Sequence, residues 1–458
     1  MSAVIAQAPQ SLLDNPEAEA AWLSDIAQRV LDRARAGGAA QAEVSLSSSL
    51  SREAGVRLGE IETLEEARDR GVRVTVYCHQ CSGSASTGDL RPATIDECVE
   101  RALAIAKHTQ ADKAAGLADA ELMASEFPDL GLWHPRDVPM ADLIERARHI
   151  EQVGRDADSR IDNSEGASVS SEAAVGLYAN SHGFFGISRG TRYSQSCVLI
   201  ARDEAGMQRD YDWDSQRDFD ALADPAVTGA EAARRTLRRL GARRVPTGPV
   251  PVLFAPEVAR GLIGHLISAV SGGALFRRSS FLLDSVGEQL LPAWASLVEQ
   301  PRLLGGAASS NYDGDGVATR ESALIADGKL LRYVLSAYSA RRLGLQTTAN
   351  AGGVRNLKLE APTRSFDDLL AEMGTGLVVT EVMGQGVNLV TGDYSRGAAG
   401  FWVENGQIAW PVEEITIAGQ LRDMFGQIIA AGDDVDLRRN VHVGSLLIER
   451  MMVAGQQD

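Results

Sequence analysis

The chain has 458 residues, with 45 Lys and Arg against 62 Asp and Glu, and its formal net charge is -17. Such a charge repels a phosphate backbone and anionic lipid headgroups, so it argues against binding to nucleic acid or to a membrane surface. The length is sufficient for a large core and for two or more domains. Only four cysteines occur, too few for a secreted disulfide framework, which indicates a reducing compartment.

The start of the chain has neither the basic residues nor the long apolar stretch of a signal peptide. The most apolar window, residues 261–276, is 16 residues long and contains His265. It is shorter than the roughly 20 residues that a membrane span requires. We therefore expect a cytoplasmic protein in which this window forms a buried helix.

The first half alternates between helical and strand patterns. Apolar residues at helical spacing predict four helices, over residues 14–36, 94–106, 140–157 and 228–240. Alternation of apolar and polar side chains predicts strands over residues 42–48 and 71–77, followed by a meander of strands between 167 and 213. The predicted fold class is α+β, beginning with a mixed N-terminal domain in which antiparallel strands pack against helices.

Residues 243–251 contain three prolines and a glycine, which interrupt regular structure. We place the domain boundary there, giving an N-terminal domain over residues 1–245 and a C-terminal domain over residues 246–458. Hairpin turns are indicated at Asp327-Gly328 and Asn405-Gly406. The C-terminal domain is predicted to be β-rich and barrel-like, with strands over 330–335, 376–382, 398–403 and 412–418 and a helix over 420–431.

Two motifs contain residue types that bind metals. Cys78-His79-Gln80-Cys81 has the spacing of half a zinc site or of a redox pair, but no second pair of ligands follows it, so a hairpin tip is the favoured interpretation. Asp313-Gly314-Asp315-Gly316 lacks the further oxygen ligands of a calcium loop, and we expect a solvated surface turn.

His265 is the histidine of greatest interest because it lies in the apolar helical window. A zinc peptidase helix presents two histidines on one face, with a glutamate that deprotonates the bound water. Here Leu266 follows the histidine and Val270 lies a little over one turn further on. The sequence therefore predicts no catalytic, cofactor-binding or metal-binding residue, and His265 is interpreted as a histidine of the core or of an interface.

Several long segments of the chain resemble the TldD/PmbA family and, within it, the PmbA branch, which is also called TldE. The resemblance covers nearly the whole chain, and strings of this length are highly specific. The segments that carry it are residues 180–183, 279–285, 336–345, 372–381, 383–386, 392–406 and 411–419.

The resemblance implies a function for the chain. In the family, the metal-bearing TldD subunit carries His-Glu-x-x-x-His and a cysteine near its C-terminus. Alignment of that motif places the first histidine on His265, the glutamate on Leu266, the second histidine on Val270 and the cysteine near Val443. The resemblance thus implies a partner subunit of a heterodimeric zinc metalloprotease that acts on unfolded or extended peptides, with zinc and catalysis supplied by a TldD-like subunit and no cofactor in this chain.

Asp393, Tyr394, Ser395 and Arg396 are polar residues in an otherwise glycine-rich stretch. They are the candidates for contacts in a substrate channel or with the partner. The alternative is a hydrogen-bonded turn that only shapes the fold, since buried polar clusters are usually structural. Because the two subunits of the family are similar, this chain is also expected to form a two-fold homodimer when it is produced alone.

Two other functions stay open at this point. One is an autonomous hydrolase that uses residues such as Cys78, His79 and Cys81. The other is a regulatory binding protein, in keeping with the older family label of DNA gyrase modulator. The acidic charge is compatible with contact to a basic protein but not with holding DNA.

Overall fold

The computed structural model describes residues 11–204 and 206–455. The first half is built on one antiparallel sheet of six strands, in the order β3-β2-β1-β4-β5-β6. Its central strands are long, because β1 runs beside β2 and β4 over almost its whole length. The strands are β1 Gln41–Arg57, β2 Glu60–Cys78, β3 Cys81–Thr87, β4 Asn163–Asn180, β5 Phe185–Arg202 and β6 Met207–Gln216.

Four helices cover one face of this sheet. The first two pack over one end of the strands and the other two over the opposite end, so the sheet has two separate hydrophobic clusters. Asn15 caps the first helix by accepting a hydrogen bond from the Ala18 N–H at 3.0 Å, and Asp224 caps the fourth in the same way. The helices are α1 Pro16–Ala36, α2 Pro92–His108, α3 Met140–Asp156 and α4 Pro225–Leu237.

The second half is centred on a closed barrel of five strands. In this ring β7 pairs in parallel with β13 and antiparallel with β19, and the remaining pairs β13–β15, β15–β16 and β16–β19 are antiparallel. The predicted barrel-like domain is therefore confirmed. The ring strands are β7 Gly248–Phe254, β13 Gly376–Met383, β15 Asp393–Glu404, β16 Gln407–Gln420 and β19 Leu446–Ala454.

Shorter elements surround the barrel. A five-stranded sheet of order β10-β9-β8-β11-β18 shares the largest hydrophobic cluster with the barrel, and β12, β14 and β17 extend the barrel sheet. The strands are β8 Ser296–Glu299, β9 Ser322–Ala326, β10 Lys329–Leu330, β11 Leu357–Glu360, β12 Thr363–Arg364, β14 Val387–Asn388, β17 Ile428–Gly432 and β18 Val441–His442. The helices are α5 Pro256–Ala269, α6 Gly272–Phe276, α7 Ala337–Leu343, α8 Phe366–Met373 and α9 Leu421–Gly426.

Both hairpin turns predicted in the second half are present. Asp327 and Gly328 have φ of 48° and 76°, and Asn405 and Gly406 have φ of 51° and 74°. Positive φ at both central residues is what a type I′ turn requires, and it matches the twist of the flanking strands. The predicted helices of the first half also occur, with ends that differ by up to three residues.

Several expectations for the second half were wrong. The strand predicted over 330–335 stops at Leu330, and the helix predicted over 420–431 is α9 followed by β17. Instead of one helix, the window 261–276 is divided between α5 and α6, because Ser271 forms a β-bridge to Val334. No described helix is both long and apolar enough to cross a membrane.

Asp313 was expected in a solvated turn, but its side chain is only 2 % exposed. Its carboxylate accepts hydrogen bonds from the backbone N–H groups of Asp315, Val317 and Ala351, at 2.9 to 3.0 Å. Burial, followed by the nearby Asp315 carboxylate, raises the pKa of Asp313 to about 6. This acidic turn therefore stabilises the interior of the domain, because the Asp313 carboxylate replaces water as the partner of three N–H groups.

A glycine at position 400 is required for the barrel to close. A Cβ atom there would lie 1.8 Å from the Val378 carbonyl oxygen of the neighbouring strand. We expect Gly400→Ala to lower the free energy of unfolding by about 3 kcal/mol or more, since the strands must separate. Gly426→Ala is the matched control, because its Cβ would meet nothing within 4 Å. Denaturant unfolding measures both, and equal stability of the two variants would contradict the expectation.

Candidate functional site

The helix that contains His265 follows directly from a barrel strand. β7 ends at Phe254, and after the single residue Ala255 the helix α5 begins at Pro256, whose fixed φ suits the first helical turn. The inner face of α5 is apolar and fully buried in the large cluster of the second half. The residues on the outer face are at least partly exposed, and they are Glu257, Arg260, Gly261, Gly264, His265 and Ser268.

The three positions of the degenerate motif do not share one face of the helix. Leu266 and Val270, which are four residues apart, both point into the core and have 0 % exposure. His265 lies about 100° around the helix from Leu266 and is half-buried on the outer side. Val443, at the position aligned with the cysteine, is also buried in the core at 1 % exposure.

These four residues do not fit a zinc ion. Zinc in proteins is bound by thiolates, imidazoles and carboxylates, and only His265 among the four offers such a donor. Metals also require a wet or polar cavity for the remaining ligands, whereas Leu266, Val270 and Val443 fill one hydrophobic cluster. Within the described ranges, no group of three or more His, Cys, Asp or Glu residues has the geometry to hold a metal ion.

The glycine-rich signature begins with a tight hairpin. β14 pairs with the start of β15, so that Val387 faces Tyr394. The Ser395 N–H donates to the Gly386 carbonyl at 2.7 Å, and a Cβ at Gly386 would lie only 1.7 Å from the Ser395 carbonyl oxygen. Gly386 therefore allows the backbone approach that positions the four candidate residues.

Strand alternation separates these four residues into two pairs. Tyr394 and Arg396 lie on one face of β15, and Asp393 and Ser395 lie on the other. The Tyr394 ring contacts the His265 ring edge to face, with 6.0 Å between ring centroids. The structure thus brings Tyr394 and Arg396 to His265, while Asp393 and Ser395 are exposed on the opposite side.

The charges around His265 disfavour its protonated form. Burial lowers the pKa of His265, and the nearby Arg396 guanidinium lowers it further. Burial also raises the pKa of Tyr394 to about 12, so its phenol is neutral. Arg396 provides a fixed charge at this contact, and its Nε donates to the Met383 carbonyl at 3.0 Å.

Asp393 stabilises the turn before β15 and does not contact His265. Its carboxylate accepts hydrogen bonds from Gln420 Nε2 and from Thr391 Oγ1, which closes the turn before β15. The Gly392 N–H donates to the Asn388 carbonyl at 2.7 Å in the same turn.

The contact of His265 with Tyr394 links positions 129 apart, and no local sequence signal could have found it.

The cysteine motif forms the tip of the hairpin between β2 and β3. Cys78 and Cys81 are cross-strand partners, and His79 and Gln80 have φ of 50° and 69°. Both cysteines are free and half-buried. The predicted hairpin tip is therefore confirmed.

Comparison with known families gives three matches along the chain. Residues 42–106 match the PmbA/TldA metallopeptidase domain 1, residues 133–240 match the central domain, and residues 247–455 match the C-terminal domain. The metalloprotease PmbA of Escherichia coli O157:H7 is 46% identical over 445 residues, which cover 97% of this chain and 99% of that protein.

Solved structures of other proteins are also similar to this chain. A crystal structure of a proposed modulator of DNA gyrase from Bacteroides thetaiotaomicron superposes with a TM-score of 0.90 at 28% identity, covering 94% of this chain and 99% of the other. TldE from Thermococcus kodakarensis has a TM-score of 0.81 at 20% identity, with 94% and 100% covered. The second likeness concerns the fold alone.

Placing a glutamate at the position aligned with the catalytic carboxylate should destabilise the protein. Leu266→Glu buries a carboxylate without a partner, and we expect a loss of about 3 kcal/mol or more in the free energy of unfolding. Leu266→Met keeps the volume and the apolar character, and it should cost less than about 1.5 kcal/mol. Chemical denaturation of both variants checks this, and a stable Leu266→Glu variant would show that position 266 has access to water or to a cation.

The lowered pKa of His265 should affect stability in mildly acidic solution. The unfolded imidazole takes up its proton at a higher pH than the folded one, so the folded state loses stability as the pH falls below about 6.5. His265→Gln removes this contribution. We expect the stability difference, wild type minus variant, to decrease between about pH 7.5 and about pH 5.5. NMR titration of the ring provides a direct check, and a His265 pKa above that of a free histidine would contradict it.

Proposed function

This chain belongs to the PmbA/TldD metallopeptidase family, and from that membership we propose that it is the partner subunit of a heterodimeric zinc metalloprotease. A TldD-like subunit supplies zinc and the catalytic groups, and this chain completes the chamber in which extended peptides are cut. The complex works in the cytoplasm.

One observation carries this proposal: the positions aligned with the catalytic glutamate and the second zinc ligand are occupied by fully buried Leu266 and Val270. The same helix in a metal-bearing subunit would need donors there. In this chain, α5 keeps its place behind the barrel strand but uses both positions for the core. This arrangement supports a subunit that keeps the fold of a metallopeptidase while the partner provides the residues that the metal requires.

The remaining polar groups suit a supporting role. Tyr394 and Arg396 flank His265 on a rigid strand, which is how residues that position a peptide are best held. A neutral imidazole and a guanidinium can donate hydrogen bonds to peptide carbonyl oxygens. The Tyr394 ring is only 3 % exposed and supports them from the core. These residues orient a substrate in the proposed complex, and the partner provides the chemistry.

A regulatory role is the second candidate, because a structural relative with a TM-score of 0.90 is described as a proposed modulator of DNA gyrase. Pull-down of purified gyrase subunits by this chain, with and without a TldD-like protein, separates the two functions. Gyrase binding without that protein, at the same affinity, would favour the regulatory role.

The partner-subunit proposal is tested by metal content and by reconstitution. Elemental mass spectrometry of the isolated chain should find less than about a tenth of an equivalent of zinc, since a closed site of three or four protein ligands retains its metal. Hydrolysis of an unfolded peptide should require this chain, a TldD-like subunit and zinc together. Proteolysis by the isolated chain, lost in Cys78→Ser or Cys81→Ser, would instead support an autonomous hydrolase.

A further inference from the structure

The outer face of α5 is unusually open at its centre. Gly261 and Gly264 lie on it, and a Cβ atom at either position would meet nothing within 4 Å. Glycines in the middle of a helix cost stability, and they leave the helix backbone accessible from outside. An extended chain can therefore approach α5 closely between Arg260 and His265.

Arginines border this open stretch at both ends. Arg396 lies beside His265 on the same strand face as Tyr394. At the other end, Arg260 and the exposed Tyr211 of β6 line a common cleft of about 270 Å³. Arg439 stacks on Trp213, two residues along β6 from Tyr211, with its Cζ atom 4.1 Å from the ring centroid.

In the part of the chain that the structure describes, these three arginines form no direct ion pair, although the Asp436 carboxylate interacts at longer range with Arg260 and Arg439. Arg260, Arg396 and Arg439 take part in none of the ion pairs formed by the described residues, although neighbouring arginines do. The Arg260 Nε donates to the Glu257 carbonyl at 3.1 Å, and Arg396 likewise donates only to a backbone carbonyl.

The carboxylates that line the cleft with Arg260, and Asp436, which lies near Arg439, are all paired with arginines other than these three. Glu257 pairs with Arg235 at 2.6 Å, and Asp436 pairs with Arg438 at 2.8 Å. The surface is therefore locally cationic on a chain whose net charge is -17. Local charge of this kind attracts and orients anionic groups even when the whole molecule is acidic.

We propose that the α5 outer surface, defined as Arg260, Gly261, Gly264 and His265 with Arg396 and Arg439 at its borders, binds an extended peptide segment that carries carboxylate side chains. The inference rests on the proposed function, since it names the substrate chemistry of the same site. Arginine is suited to this task because its planar guanidinium can accommodate a carboxylate in a bidentate geometry.

The charged residues lie on both sides of the open stretch. Arg260 and His265 are five residues apart, which is about 7.5 Å along the helix axis and about 140° around it, so they border the two glycines from opposite edges. Side chains on one side of an extended chain recur at about 6.8 Å. A peptide with several acidic residues on that side can thus present carboxylates to Arg260 and Arg439 at one edge and to Arg396 at the other, with its backbone over the glycines.

Fluorescence anisotropy with the full-length isolated chain tests this inference. The probe is a fluorescein-labelled unstructured peptide of twelve residues with glutamate at alternate positions, and the matched peptide has glutamine there. At low salt we expect the glutamate peptide to bind at least about fivefold more tightly, and the difference to shrink at high ionic strength. Equal affinity for the two peptides, or no binding of either, would overturn the inference.

Substitutions locate the binding to the surface. Arg260→Gln, Arg396→Gln and Arg439→Gln should each weaken binding of the glutamate peptide by about two- to fivefold, as expected for exposed charge pairs. Arg101→Gln is the matched control, because that side chain is 75% exposed on α2. Circular dichroism verifies folding of each variant. A loss as large in Arg101→Gln as in the others would show nonspecific attraction and refute the assignment.

Failure of this inference can be distinguished from failure of the proposed function. If the reconstituted complex cleaves glutamate and glutamine peptides equally and the isolated chain does not distinguish them, the substrate inference fails while the partner-subunit role stands. If the isolated chain selects the glutamate peptide but no zinc-dependent cleavage occurs with a TldD-like subunit, the partner-subunit role fails. In that case the surface is a binding site for acidic segments in its own right.

Discussion

Pairing of β7 with two neighbours determines where the candidate site lies. This strand hydrogen-bonds to β13 on one side and to β19 on the other, and it thereby closes the barrel. Val252, Leu253 and Phe254 are fully buried at the end of the strand, and only Ala255 separates it from α5. The direction in which α5 leaves the barrel is therefore fixed by the same hydrogen bonds that close the ring.

The orientation of α5 about its own axis follows from hydrophobic burial. Leu262, Ile263, Leu266 and Ala269 are buried at 2 % exposure or less, which leaves the opposite side for polar residues. Full burial of a leucine side chain contributes about 1.5 to 3 kcal/mol. A rotation that brought Leu266 outward would lose this contribution, so the outward position of His265 is a consequence of packing on the other face.

The sequence predicted the helices of the first half and the two type I′ hairpins because their determinants are local. Apolar spacing of 3.6 residues and an Asn-Gly or Asp-Gly pair act within a few residues of the chain. The division between α5 and α6 and the early end of β10 were not predictable in this way. They depend on the bridge from Ser271 to Val334, which joins positions 63 residues apart.

The candidate site likewise contains residues that the sequence identified and residues that only the structure brings together. The motif alignment identified His265, Leu266 and Val270, but only the structure places Tyr394 and Arg396 against the histidine and separates Asp393 from them. Strand alternation was available from the sequence, whereas the register that opposes β15 to α5 depends on closure of the barrel. The sequence did not indicate Arg439 either. Its position is defined by stacking on Trp213, a residue of the other half of the chain.

A core position on a helix requires an apolar, buried side chain, whereas a metal-ligand position requires a polar donor. Ligands must be solvated or paired when no metal is bound, and their burial costs several kcal/mol unless the metal compensates for it. With Leu266 and Val270 in those positions, both side chains pack in the hydrophobic cluster without any such cost. Glycines are then tolerated on the outer face of α5, because packing of the buried apolar face stabilises the helix. In this chain the burial of Leu266 and Val270 and the placement of Gly261 and Gly264 on the opposite side are thus consequences of the same orientation of α5.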